Sequence, residues 1–485
     1  MRGLTRFISP LGAAIAVVLV LAYVVVVLHF AVNIPASDEW TYTVPLVDAA
    51  LHGHATLGLL WQPWSDGHWF LPNLAILVVG LYDHLNIRAL IALSALLRVA
   101  SFVLVLALAR PMLGRRVRAG EVLLLGVAFF SLGDIDKALW GLGLPVYLVM
   151  FFAIAAYLFL HLAMTRAPSR RWMILAIAAA ALASLSSIQG LLVWPTGFIA
   201  LAWSDPRAKD ALRRLLSWLV ATVVVGAVCL IDSAGPQIDS RSPLYSLSHP
   251  IGAGGYGLVL TGSLSSSLTA NLWSGHELQL GLRQLIGLLV IVLSIVVVVA
   301  QFRWSRRQPA SWLPAVLIAF GLSWDLLVAA GRLSRGIETA VQSSYQTPQV
   351  FVAVGLVLGA VSMIQHLWRQ RPERRTWIAI GATVFVVALG SQLVVSDIIG
   401  LQNGTWSRSD RTTAARDVVN LNEIPAAKRY CYMNRLLLKD LGTRGEVEFY
   451  IEGWIPMTRR DHLSLFAPEP LADWQARGPG GIYFC

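Results

Sequence analysis

Charge is what this 485-residue sequence has least of: 13% of its residues are Asp, Glu, Lys or Arg, while 56% are hydrophobic. A soluble protein carries about a quarter of its residues charged, so a water-soluble body is excluded. Cysteine is scarce as well, and the three present make no disulfide framework. Cys229 lies in an apolar run and reads as a small hydrophobe. Cys431 and Cys485 share the C-terminal tail, where a disulfide between them is chemically permitted. No internal repeat is visible, which counts against transporter folds made of duplicated halves.

Basic residues are missing from alternate connections. Residues 33–85 hold no Lys or Arg, and 233–281 holds only Arg241. Twenty of the 38 Lys and Arg fall instead in the N-terminus (Arg2, Arg6) and in 110–118, 166–171, 207–214, 303–307 and 369–375. This is the positive-inside asymmetry. It predicts a cytoplasmic N-terminus, an extracytoplasmic C-terminus and a multi-pass protein of the cell (inner) membrane. The net charge of +11 then belongs to the cytoplasmic face of a lipid bilayer, and no nucleic-acid partner is expected.

What is abundant is long apolar runs of roughly the twenty residues that cross a hydrocarbon core. The first, Leu11 to Val32, is too long for a signal-peptide h-region and has no small-residue cleavage site before Asp38. The pattern predicts an all-α polytopic membrane protein with about eleven transmembrane helices: 11–32, 86–109, 117–133, 144–164, 172–187, 190–203, 216–232, 282–302, 311–330, 348–368 and 376–397. Arg clusters flank 172–203 at both ends, so it is predicted to be a hairpin turning at Ser184 to Gly190. The same logic makes 117–164 a hairpin turning at Gly133 to Gly143. The short halves of the first hairpin place its Ser-Ser-Ile-Gln-Gly turn, with Gln189, beside an internal cavity.

The membrane domain covers 1–397, with a first extracytoplasmic loop at 33–85 whose stretch Phe70 to Tyr82 suits an interfacial helix. The Gly- and Ser-rich 233–281 reads as irregular. The tail, 398–485, has ordinary soluble composition and reads as a small extracytoplasmic α/β domain: a helix near 427–441, a strand at Glu446 to Ile451, and a helix near 459–466.

Chemistry-bearing residues collect in the connections. Asp38 and Glu39 follow helix 1 and are candidate catalytic acids; Asp38 can act as a general base or hold a divalent cation such as Mg or Mn. His68 shares their loop, among Trp64, Trp69 and Phe70. His52 and His54 form a His-x-His pair without a third zinc ligand nearby in sequence. Asp136 and Trp140 lie in an acidic and aromatic turn suited to sugar hydroxyls. Arg332 and Arg335 break the positive-inside rule and can grip a phosphate. Asp325 lies two turns before Arg332 on the same helix face, an intramembrane carboxylate that can pair with it. Tyr345 follows shortly after.

The chain resembles the type-C (GT-C) membrane glycosyltransferases, in their bacterial polyprenyl-phosphate-sugar-dependent members. The likeness rests on Asp38-Glu39-Trp40 after helix 1, GHWFLPNL over 67–74, LWGLGLPVYLVMFF over 139–152, and GRLSRG over 331–336 followed by SSYQT over 343–347. HLSLFAPEP at 462–470 resembles the end of uncharacterised bacterial members. Gly67-His68-Trp69 stands where many relatives have an acid, His and Arg, and Ser343-Ser344-Tyr345 where many have Ser-Arg-Tyr. Arg332 and Arg335 are therefore the better phosphate candidates. The resemblance implies an inverting sugar transfer from a polyprenyl-phosphate donor to a cell-envelope glycan or glycolipid acceptor, with Asp38 as base. The enzyme reading requires Asp38 to face a cavity shared with Arg332 or Arg335. The alternatives are a transporter or flippase of a lipid-linked substrate, and an O-antigen ligase or polymerase, which needs a large late loop this chain lacks.

Overall fold

The structure, a computed structural model, describes residues 7–64, 67–203, 210–231, 244–265, 276–304, 310–341, 345–370, 375–425, 428–429, 433 and 448–477. Cys431, Cys485, Ser343, Ser344 and most of the helix expected near 427–441 lie outside the described residues.

Helix α1, Pro10–Phe30, starts where the Ser9 hydroxyl accepts the Gly12 N–H at 3.1 Å, with Pro10 on its first turn. The first loop then folds into α2 (Asp38–Leu51), α3 (Leu57–Leu60), a two-stranded antiparallel hairpin of β1 (Pro63–Trp64) and β2 (Gly67–His68), and α4 (Phe70–Tyr82). Helix α4 has the predicted bounds. Next come α5 (Ile87–Leu113), α6 (Ala119–Phe129), α7 (Ile135–Ala138), α8 (Leu144–Thr165), α9 (Ser169–Ser184), α10 (Val193–Trp203) and α11 (Ala211–Leu230). Gly114 ends α5 at φ +66°, the left-handed position a helix stop favours. Both expected hairpins are present, α6 to α8 and α9 to α10.

Seven described helices are long and apolar enough to cross a membrane. Three of the eleven expected spans are shorter: α6 and α10 have 11 residues each and α9 has 16. Burial separates centre from rim. The spans in α1 and α11 are 22% and 17% buried, against 67% for Gly141–Thr165 and for Leu313–Arg335. Val18, Leu21, Val25, Val220 and Val223 on the rim helices are exposed, as lipid-facing residues are.

The expectation of an irregular 233–281 is corrected. Its described part forms α12 (Leu244–Ser248) and α13 (Pro250–Thr261), ahead of α14 (His276–Trp304). Two glycines where the end of α13 meets α14 let their backbones touch. A Cβ on Gly262 would meet the Arg283 carbonyl oxygen at 1.9 Å, and one on Gly287 the Leu258 carbonyl oxygen at 2.0 Å. Then follow α15 (Leu313–Arg332), α16 (Gln349–Gln370) and α17, which runs unbroken over Arg375–Val419. Its 45 residues span roughly 68 Å at 1.5 Å per residue. It passes through the expected boundary at 397/398 and carries its second half beyond any bilayer core.

The strand expected at Glu446 to Ile451 is also corrected over its described part: 448 and 449 are helical, and Tyr450–Trp454 is a π-helical turn. A lone strand has no partner for its backbone, whereas a helical turn satisfies its own. The helix expected near 459–466 is Ile455–Arg460, broken where His462 and Ser464 take φ of +53° and +51°. A last helix covers Pro468–Arg477. These pieces dock on the first loop. Tyr450 meets Trp40 edge-on at 6.4 Å, and Ser464 donates its N–H to the His84 carbonyl at 2.5 Å and its hydroxyl to Asn33 Oδ1 at 3.1 Å.

Candidate functional site

The first turn of α2 separates two adjacent carboxylates. Ser37, just before it, adopts φ +51°, a rare conformation for a residue with a Cβ. Beyond that bend Asp38 is exposed and takes a 3.3 Å hydrogen bond from the Ser37 hydroxyl. Glu39 turns inward and is 0% exposed. Its carboxylate accepts the N–H of Ala36 at 2.6 Å and of Leu142 at 3.2 Å. It also closes on Gly141, where a Cβ would lie 2.7 Å from Glu39 Oε1. Burial pushes the Glu39 carboxyl up to about 7, against the opposing pull of the Arg411 charge and the backbone N–H groups.

Glu39 thereby sews the first loop to the turn between α6 and α8. Trp140 strengthens the seam by donating its indole N–H to the Ala36 carbonyl at 3.2 Å. Lys137 Nζ sits 4.4 Å from the Trp140 ring centroid, a cation–π contact. Arg411, from the far half of α17, donates to the Leu139 carbonyl at 2.5 Å and feels the charges of both Glu39 and Asp136. The fold thus brings Asp38, Glu39, Asp136 and Trp140 together and adds Lys137 and Arg411. Sequence reasoning missed Arg411, which it assigned to a separate domain.

The other expected site residues lie elsewhere. His68 is buried, stacked at 4.4 Å on Trp61, with Nδ1 on the Trp61 carbonyl at 2.5 Å and Nε2 on the Ile231 carbonyl at 2.9 Å. Both nitrogens serve backbone groups, so the ring ties the hairpin to the end of α11. Gln189 is hydrogen-bonded to Ser187 inside the α9–α10 turn. Arg332 ends α15 and Arg335 lies in the 3-10 turn that follows; Tyr256 of α13 lies within reach of their charges, and its hydroxyl is hydrogen-bonded to Thr339 at 2.9 Å. Neither a polar cavity of about 40 Å³ nor a cavity of about 540 Å³ is lined by Asp38, Gln189, Arg332 or Arg335.

Asp325 is held by Gln349 Nε2 at 2.6 Å and by the Thr261 hydroxyl at 2.9 Å. It stands near a polar cavity of about 40 Å³ lined by Arg98, Asp134, Gln346, Gln349 and Ser396 among others. Sequence reasoning passed over Arg98, and placed Asp134 only in the acidic and aromatic turn with Asp136. The available signal was Ser94, Arg98 and Ser101, one polar stripe at helical spacing inside an apolar run.

Among the described residues, the group whose ligand atoms come within reach of one ion is Asp48, His52 and Asp461, all within 4.8 Å of one another. His52 thus gains carboxylate neighbours from its own helix and from the tail. Arg460 already bridges the two carboxylates: it bonds Asp48, and its Nε lies 2.8 Å from Asp461 Oδ1. Asp38 is not in this group, and no second and third ligand stand beside it among the described residues.

No family model matches this sequence, and no curated protein matches it. Among solved structures, the crystal structure of ArnT from Cupriavidus metallidurans in the apo state aligns with 73% of this chain and 76% of its own, at 17% identity and a TM-score of 0.31. At that TM-score the likeness carries no argument, and the architecture stands on the chain's own helices.

Proposed function

We propose that this protein is an inverting membrane glycosyltransferase that moves a sugar from a polyprenyl-phosphate donor to a glycan or glycolipid acceptor at the outer face of the cell membrane. The observation that carries the reading is the divergence of Asp38 and Glu39. Glu39 is committed to the backbone N–H groups of Ala36 and Leu142, which makes it a positioning residue. Asp38, one residue away, stays exposed at the helix start, where an acceptor hydroxyl can reach it. The sequence resemblance to GT-C enzymes at Asp38-Glu39-Trp40 and at 139–152 supports the same assignment.

In this mechanism Asp38 accepts the hydroxyl proton as the acceptor oxygen attacks the anomeric carbon from the face opposite the phosphate. The bond from that carbon to the phosphate oxygen breaks, and polyprenyl phosphate leaves with the electron pair. Guanidinium groups stabilise the departing charge. Arg332 and Arg335 are the proposed phosphate ligands, which requires them to share a cavity with Asp38 when the donor is bound, and Trp140 and Asp136 are the proposed sugar contacts. No step is routed through a metal.

The test is transfer from a synthetic polyprenyl-phosphate sugar by purified protein in detergent. Asp38→Asn keeps shape and removes the proton acceptor, so the rate should fall on the order of 10²–10⁴-fold with donor binding little changed. Near-normal transfer by that variant removes Asp38 from the mechanism. Lipid movement across vesicles without any transfer by the wild type replaces the enzyme with a transporter, the reading that the buried Arg98–Asp134 pair favours.

A further inference from the structure

Helix α5 leaves the first loop at Ile87 and runs 27 residues, about 40 Å at 1.5 Å per residue. Its last turn is therefore at the opposite end of the bundle. There α5 and α8 border a cavity of about 540 Å³ into which Arg110, Arg115, Arg116, Arg166 and His161 converge. That volume lies within the range of small-ligand sites, roughly 300–1,000 Å³.

Glu121 pairs with Arg115 through both carboxylate oxygens. Among the described residues no carboxylate pairs with Arg110, Arg116 or Arg166, and all three are exposed. The C-termini of α5 and α8 add roughly half a negative charge each, which the unpaired guanidinium groups outweigh. His161 is the telling residue. It is 6% exposed, and its Nδ1 has no hydrogen-bond partner. A buried nitrogen left without a partner costs free energy unless a ligand meets it. The positive-inside rule accounts for arginines at this end but not for their convergence on a cavity with an unsatisfied imidazole. Phe7, Leu158 and Leu162 complete the wall with apolar surface.

We infer that this cavity is a binding site for the phosphate of an anionic lipid, whose acyl chains lie along the apolar wall between α5 and α8. Guanidinium forks match phosphate oxygens, and a soluble phosphate has no use for the apolar side. The site is separate from the proposed sugar-transfer centre and does not depend on it.

The test uses the full-length protein in a zwitterionic detergent, with retained lipid counted by native mass spectrometry. Phosphatidylglycerol is compared with phosphatidylcholine, and inorganic pyrophosphate serves as the soluble competitor. The wild type should retain phosphatidylglycerol selectively, and excess pyrophosphate should displace little of it. A basic residue near an anionic lipid surface contributes enough for about a fivefold effect. The R110Q/R116Q/R166Q variant should therefore lose affinity on the order of a hundredfold. Should that variant fail to purify, Arg116→Gln and Arg166→Gln alone, both at exposed positions, should each lose roughly fivefold. Equal retention of the two lipids, or unchanged affinity in these variants, overturns the inference. Binding of pyrophosphate without preference for phosphatidylglycerol assigns the cavity to a soluble phosphate and overturns the lipid.

Discussion

Arg98 Nη1 donates to both carboxylate oxygens of Asp134, at 2.9 and 3.0 Å, and neither side chain is more than 5% exposed. The same guanidinium donates to the Phe129 carbonyl at 2.7 Å and to the Tyr23 hydroxyl at 3.4 Å, while Thr347 donates to Asp134 Oδ2 at 2.8 Å. One ion pair thus ties α1, α5, the turn after α6 and the approach to α16. A buried pair is worth little against an apolar replacement, yet breaking it leaves a bare charge inside.

That asymmetry is measurable. Asp134→Ala should destabilise the protein by about 3–5 kcal/mol, because Arg98 stays charged without its partner. The double replacement of Arg98 by Met and Asp134 by Leu should recover most of that loss. Thermal unfolding of the single and double variants in detergent decides it. A single variant as stable as wild type would show that the pair does not hold the bundle.

Glu39 predicts a pH dependence of stability. Its carboxyl is raised from 4.5 to about 7 in the folded chain, so the folded state binds this proton more tightly than the unfolded one. The resulting stabilisation is full below pH 4.5 and is lost as pH rises from 4.5 toward 7, amounting to about 3 kcal/mol. Glu39→Gln cannot ionise, and one of its backbone contacts becomes donor against donor. The variant should be less stable than wild type at pH 5, with the gap narrowing by pH 8. Parallel curves of unfolding midpoint against pH would contradict the buried carboxyl.

Gly190 closes the α9–α10 turn, its N–H 2.8 Å from the Ser187 carbonyl. A Cβ there would lie 1.9 Å from the Ala183 carbonyl oxygen, a backbone atom that cannot step aside. Gly190→Ala should cost about 3 kcal/mol or more and lower the yield of folded protein. Gly120→Ala is the control: nothing lies within 4 Å of a Cβ at that helical position, so it should be neutral or stabilising by up to about 1 kcal/mol. Equal midpoints for the two variants would mean the turn is not packed this way.

The proposed orientation has its own check. Alkaline phosphatase fused after Cys485 should be active in a bacterial host if the Arg-rich segments 110–118, 166–171, 207–214, 303–307 and 369–375 face the cytoplasm, as the basic excess predicts. An inactive phosphatase together with a working cytoplasmic reporter at the same point would reverse the topology and remove the outer-face chemistry with it.

Local pattern alone determined most of the helical body. Apolar runs and their basic flanks locate the spans and both hairpins, because bilayer thickness and backbone hydrogen bonding leave a chain of this composition few other forms. The pair Asp38-Glu39 is likewise visible in the sequence, as is the helix over Phe70–Tyr82. Only the tertiary structure decided which member of the pair is free. Ser37 turns the chain, and the Leu142 N–H, more than a hundred residues away, claims Glu39. Arg411 was out of reach for the same reason: a helix of 45 residues carries a tail-region residue back to the first loop, and no local signal reports that return. The Gly-rich run of 233–281 misled because glycine does not by itself mark a loop: Gly254 and Gly257 sit inside α13 with open space around them, while Gly262 meets the backbone of α14.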